Sequence, residues 1–411
     1  LGPVANSQYP LVFQNLTFDG GLTNGWQNYN YFTLYEGNGD GWDTSHDALL
    51  DINPNWANPQ MHQLKVFTNC VFQHWRGEML KNVTSNAGGT NTWITIAGCS
   101  FFDGNASADN LYFGQTVVGN HFERLVKVHE YYQGNATTPS FWHENYWTNA
   151  GANPFSIVGA NTNALPPNFV FSNNICYGGA GNLFHLSPAQ NVSIVSNQFY
   201  GSSSSGIVFS SAGLQGNAIC SNIVISANNF HDVANCITMD GLPVTSVYVS
   251  NNVANNGQNN TFISAAAGWK ANIILSGNVA NSYIDGAGVQ DGGYFIILTN
   301  NSVGFYRWDT GTYSPTNAIS YGNGIAHRID DASKKFYLDD TQPGLMPDGA
   351  ILMVTNGSTS TGAIYTTAAM TGLPAMLSSH QVQPFYWNKI KGGYAWMTNK
   401  IVPPLNLRAT P

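Results

Sequence analysis

The chain has 411 residues and a formal net charge of −8, long enough for one large domain or two to three ordinary ones. Hydrophobic residues make up 43% and charged residues only 9%, against roughly 25% charged in an ordinary soluble domain, so the polar surface must come from Asn, Ser, Thr and Gly. The acidic balance, with no basic patch or arm, argues against a nucleic-acid partner, and no apolar run approaches the roughly 20 residues needed for membrane insertion.

Residues 1–10 lack the charged and apolar regions of a secretion signal, which suggests a mature or trimmed form. A first short strand pattern, LVFQNLTF, follows at residues 11–18. After the strand-like YFTLY comes a polar, Gly-rich run. Counting Glu36 as position 1, oxygen ligands fall at 1, 3, 5 and 12 as Glu36, Asn38, Asp40 and Asp47, with Gly41 at 6. That is the spacing of a calcium loop, so calcium is a candidate cofactor. The loop resembles those of EF-hand-like and dockerin modules, although it has Glu at position 1, Asp at 12 and no preceding helix.

From residue 65 onward one pattern repeats: a short apolar strand runs into a small residue and then an Asn. The segments VVGNHF, FWHENYW, FVFSNNIC, SIVSNQF, VISANNF, VYVSNNV, IILSGNV and IILTNNSV place Asn120, Asn145, Asn174, Asn197, Asn228, Asn252, Asn278 and Asn301 in one column. Upstream, FTNCVF and IAGCSF put Cys70 and Cys99 there, and LVFQNLTF puts Leu16 there. The nine steps from 70 to 301 cover 231 residues, about 26 each, close to one coil of three short strands and their turns. Asn tolerates left-handed backbone angles at a tight turn, and its amide can bond to the amide of the next coil, so a column predicts a ladder. Flanking alternation, as at Val192, Ile194 and Phe199, predicts every second side chain in the core. The expected fold is all-β: a right-handed parallel β-helix over residues 1–303, with an insertion around 19–65. Residues 304–411, with FYLDD, GAILMVTNG and GAIYTTAAM, read as a C-terminal β-rich cap or small domain, because a solenoid end is an open sheet edge. Cys70, Cys99, Cys176, Cys220 and Cys236 form no C-x-x-C pair and read as buried free thiols.

The Asn-column coils resemble the pectate-lyase-like superfamily of right-handed β-helices, which includes polysaccharide lyases, glycoside hydrolases and phage tailspikes. GDGWDTSHDALL at 39–50 resembles the GDG-containing stretch near the start of many tailspike and exopolysaccharidase β-helices, without its second adjacent Asp. No catalytic signature of pectate lyases, polygalacturonases or alginate lyases is present. The resemblance implies a polysaccharide partner and an extracellular, cell-surface or virion-surface location.

Charge is unevenly spread. Residues 65–145 carry eleven charged side chains, whereas residues 146–284 carry three, Asp232, Asp240 and Lys270. In a solenoid that first window is a few adjacent coils. Alternation in the run 123–130 puts Lys127 and His129 outward, with Ser156, His185 and Thr238 next on the same face. Lys127, His129 and His185 suit abstraction of a proton from an acidic sugar. Glu78, Glu130 and Glu144 suit paired-carboxylate hydrolysis. Arg76, Tyr131, Tyr132, Trp142 and Trp147 supply binding and ring-stacking groups. The same charges can instead form salt links. Two functions follow as expectations: a polysaccharide-degrading hydrolase or lyase, or a non-catalytic binding or structural surface protein. The neutral coils suit packing about a three-fold axis, as in a homotrimer.

Overall fold

The computed structural model describes residues 11–20, 50–51, 65–74, 80–81, 94–104, 115–125, 127–132, 140–148, 153–159, 169–179, 181–186, 190–210, 221–240, 246–255, 260–265, 272–285, 294–297, 302–303, 305–307, 318–320, 326–329, 336–338, 351–356, 362–366, 375–377, 382–390 and 393–397. Among them there is no helix. The chain winds as a parallel β-solenoid whose coils supply strands to a first and a second sheet and, from Lys127–Tyr132 onward, to a third.

Twelve strands form the first sheet, running in chain order from Leu11–Gln14, Lys65–Thr68 and Ile94–Ala97 to Tyr294–Ile297 and Ala318–Ser320. A tight turn leads each coil into the second sheet, as in Ser100–Gly104, His121–Leu125 and Tyr146–Thr148. The third sheet holds Lys127–Tyr132, Asn153–Gly159 and Phe184–Leu186. In two coils the second and third sheets share one long strand, Gln198–Ser210 and Asn229–Asp240.

Leu11–Gln14 pairs directly with Lys65–Thr68, so no coil of the first sheet lies between them. Within the long step from Leu16 to Cys70, Leu50–Asp51 forms a short strand that pairs in parallel with Leu80–Lys81 of the following step. Parallel pairing continues from Phe305–Arg307 through Ala326–Ile329 to Ile351–Asn356. There it turns antiparallel, with Val382–Ile390 and then Gly393–Met397 laid on in succession. Antiparallel cover satisfies the backbone of the last parallel strand, which would otherwise be an open template for another chain.

Strict register stacks like side chains in the core. On the first sheet Phe13, Phe67, Ile96, Val117, Trp142, Phe171 and Ile194 share one inward column. On the second, Phe18, Phe72, Phe101, Phe122 and Trp147 form a run of stacked rings with centroids 4.6 to 4.9 Å apart. Such offset stacks add about 0.5–1.5 kcal/mol per pair beyond area burial.

The Asn column is a buried hydrogen-bond ladder. Asn197 Oδ1 accepts from the Asn174 backbone N–H at 2.9 Å and from Asn174 Nδ2 at 3.1 Å. Asn197 Nδ2 donates to Phe171 O at 2.8 Å and to Asn228 Oδ1 at 3.0 Å, so all four amide positions are used. The pattern holds from Asn120 to Asn278, and Asn301 lies outside the described residues. Cys99 continues the column: its backbone N–H donates to Asn120 Oδ1 and its Sγ accepts from Cys70 N at 3.3 Å. Cys70, Cys99, Cys176 and Cys236 are free and buried, and Cys220 lies outside the described residues.

One expectation is corrected. The ladder Asn is not the residue with left-handed angles. That position is the residue just before it, occupied by Asn69, Gly98, Gly119, Glu144, Asn173, Ser196, Ala227, Asn251 and Gly277 with φ of 52° to 65°. The ladder residue must turn its amide inward along the axis, so its neighbour takes the reversal.

Candidate functional site

Of the residues expected to act together, the described ones lie on different elements. Glu144 occupies the left-handed turn between the first and second sheets, with φ 59°. Its carboxylate is 65% exposed, with His143 Nδ1 3.9 Å away. Lys127, His129, Glu130, Tyr131 and Tyr132 lie on the strand Lys127–Tyr132 of the third sheet, so the second-sheet wall separates them from Glu144. Register also divides that strand. His129 pairs with Ser156 and Ser156 with His185, the succession anticipated from alternation. It continues through Val208 to Thr238. Glu130 pairs with Ile157 and belongs to the register of Leu186, Phe209 and Met239, all three of them core residues. A bulge between Lys127 and His129, opposite Asn153 and Ser156, brings in the extra residue at Pro154, since proline cannot donate to the ladder.

Trp142 is corrected outright. It and Trp147 are 0% exposed and stack against Phe122 at 6.2 and 4.8 Å, so neither ring is offered to a sugar. His185 is half-buried. Arg76 and Glu78, and the calcium-loop residues Glu36, Asn38, Asp40 and Asp47, lie outside the described residues. Among the described residues no three His, Cys, Asp or Glu side chains group as a metal site.

The outer face of the second sheet gathers aromatic and ionisable side chains. Each strand there presents the first and third residues after the ladder position, and the residue between them goes to the core. Phe102, His121, Tyr146, Tyr177, Tyr200 and His231 thereby form an unbroken strip of rings over six coils, with successive centroids 5.7, 5.2, 5.8, 4.5 and 5.9 Å apart. Tyr146 is 37% and Tyr177 40% exposed. Tyr177 and Tyr200 lie face to face, 9° from parallel. Tyr146 is turned 69° from Tyr177, an edge-to-face contact. Tyr200 Oη donates to Gln198 Oε1 at 2.5 Å.

An ionic chain borders the strip at its N-terminal end. Asp19 accepts from Gln73 Nε2 at 2.6 Å and lies 3.2 Å from His74 Nδ1. His74 Nε2 lies 3.9 Å from Asp103 Oδ2. Asp103 takes a two-pronged bond from Arg124, at 2.6 and 3.0 Å. Arg124 also donates to Glu123, which lies 3.7 Å from His121. Hydrogen bonding to Asp103 is the main force raising the Arg124 guanidinium above its ordinary pKa.

His74, Asp103 and Arg124 all stand four residues after a ladder position with φ of 53° to 54°, where later coils use Gly178 and Gly201. A side chain there costs about 1–2 kcal/mol relative to glycine. Three successive coils hold charged or ionisable groups at this strained position, and Asp232 takes it again with φ 53°. Spacing from each ladder residue marks the outward positions that hold the strip and the chain, while which of them touch is set by how the coils close.

Compared with known proteins, the chain matches no family model, no curated protein and no solved structure.

Proposed function

We propose that this protein binds a polysaccharide lengthwise on the outer face of the second sheet. The observation that carries the reading is the partly exposed aromatic strip from Phe102 to His231, one ring per coil. Amphipathic rings in a row offer apolar faces and edges to sugar C–H groups and hydroxyls to sugar oxygens. The solenoid supports the reading because it brings one ring per coil to the same outer face, with successive centroids 4.5 to 5.9 Å apart. The pectate-lyase-like superfamily, with its polysaccharide ligands, is part of the same proposal, as is a location outside the cell, on its surface or on a virion. Pull-down on a panel of insoluble and soluble polysaccharides tests it. Binding that falls at least fivefold in Tyr146→Ala supports the reading, and a protein retained by no polymer refutes it.

A second reading, cleavage of the bound chain, is favoured by the register that lines up His129, Ser156 and His185 on successive third-sheet strands. Reducing ends without an ultraviolet-absorbing product mean hydrolysis, and both together mean elimination. His129→Ala or His185→Ala then lowers turnover about 100-fold, as loss of a general acid or base does.

A further inference from the structure

We infer that the ligand of the aromatic strip is a neutral, extended glycan, seated at about one sugar residue per coil; this rests on the binding reading above. Charge decides the class. Beside the strip, the described charged side chains are Asp19, Asp103, Glu123, Arg124, Glu144 and Asp232. Arg124 is the one cation among them, and Asp103 and Glu123 both engage it. A uronate or sulfated chain would therefore meet carboxylates, with no uncommitted guanidinium or ammonium among these groups to pair with. Between Tyr146 and Tyr200 the outward positions are Thr148, Ile175, Tyr177 and Gln198. These supply hydroxyl and amide groups without charge, the partners suited to sugar hydroxyls.

Spacing decides the pose. Neighbouring coils stand about 4.8 Å apart, close to the length of one pyranose residue in an extended chain. A ligand along the solenoid axis thus meets equivalent positions in successive coils. Ring tilt then divides the site. Tyr177 and Tyr200 stack on each other and present edges and hydroxyls, whereas Tyr146, 37% exposed, meets Tyr177 in an edge-to-face contact. Tyr146 is the stacking platform, and the Tyr177–Tyr200–Gln198 group is the hydroxyl-reading end.

Calorimetric titration at low salt tests this with dimers to hexamers of β-1,4-linked glucose, mannose, xylose and N-acetylglucosamine, beside hexagalacturonate. We expect one neutral series to bind with affinity rising from dimer to hexamer, and hexagalacturonate to bind at least tenfold more weakly. Tyr146→Ala should lower the neutral affinity about five- to tenfold. Arg124→Gln should leave it within twofold. Hexagalacturonate binding as tightly as the neutral chains, with loss in Arg124→Gln, overturns the neutral assignment. If Tyr146→Ala still weakens that binding, the polysaccharide reading survives. Affinity independent of length overturns the lengthwise pose. No binding by any oligomer or polymer removes both proposals.

Discussion

Replacing Asn197 by Leu removes one rung from the middle of the ladder. Its Oδ1 is the acceptor for the Asn174 backbone N–H, and its Nδ2 serves Phe171 O and Asn228 Oδ1. In the variant the Asn174 N–H loses its partner outright, at 0% exposure of that residue. Asn174 Nδ2 still reaches Trp142 O at 2.9 Å, and Asn228 Oδ1 still accepts from the backbone N–H of residue 197. One buried donor is therefore orphaned at a cost of about 1–3 kcal/mol, and three further bonds, to Asn174 Nδ2, Phe171 O and Asn228 Oδ1, are lost at about 1 kcal/mol or less each. We expect a net loss of about 3 kcal/mol, read from urea denaturation as a lower midpoint with unchanged slope. Amide hydrogen exchange should single out residue 174, since each coil depends on its neighbours alone. A loss under about 0.5 kcal/mol, well below the range for an orphaned buried donor, would refute the ladder as a source of stability. So would unaltered exchange at Asn174.

The opposite change is available two coils from the start, where Cys99→Asn should supply Cys70 N–H with an amide acceptor in place of sulfur; a gain of about 0.5–1.5 kcal/mol is expected in the same denaturation assay. Burial pushes the Cys99 thiol up from 9.0 to about 11, so the folded state holds its proton more tightly than the unfolded chain. That contribution is fully present below pH 9.0 and is lost as pH rises toward about 11. Alkaline denaturation should therefore steepen over this window in the parent and less in Cys99→Asn; identical profiles would show that the thiol carries no such linkage. Arg124→Gln leaves Asp103 and Glu123 side by side without their shared cation. A loss of about 1 kcal/mol, reduced by salt, is expected for so partly exposed a pair, and a salt-independent loss would point to packing instead.

Much of the fold is legible in the chain because a solenoid is nearly one-dimensional: each coil touches only the next, so a repeat of about 26 residues carries the architecture. Asn120 to Asn278 could be placed in one stack by their spacing, and inward residues such as Val192, Ile194 and Phe199 by their alternation. The continuation of His129 through Ser156 to His185 was equally readable. What required the tertiary structure was the wall on which each side chain lies. In FWHENYW, aromatic residues occupy both outward and inward positions. The apolar pattern does not reveal that Phe141 and Tyr146 face out while Trp142 and Trp147 are core. Glu144 and Lys127 are close in sequence, yet a turn and a sheet come between them. Asp19, His74, Asp103 and Arg124 are scattered over more than a hundred residues, yet they meet because coils of unequal length return to the same corner. Turn position and bulges set direction in space, and neither changes the spacing of residue types along the chain. The stack was therefore readable from the chain, while which outward side chains meet across coils was decided only when the coils closed.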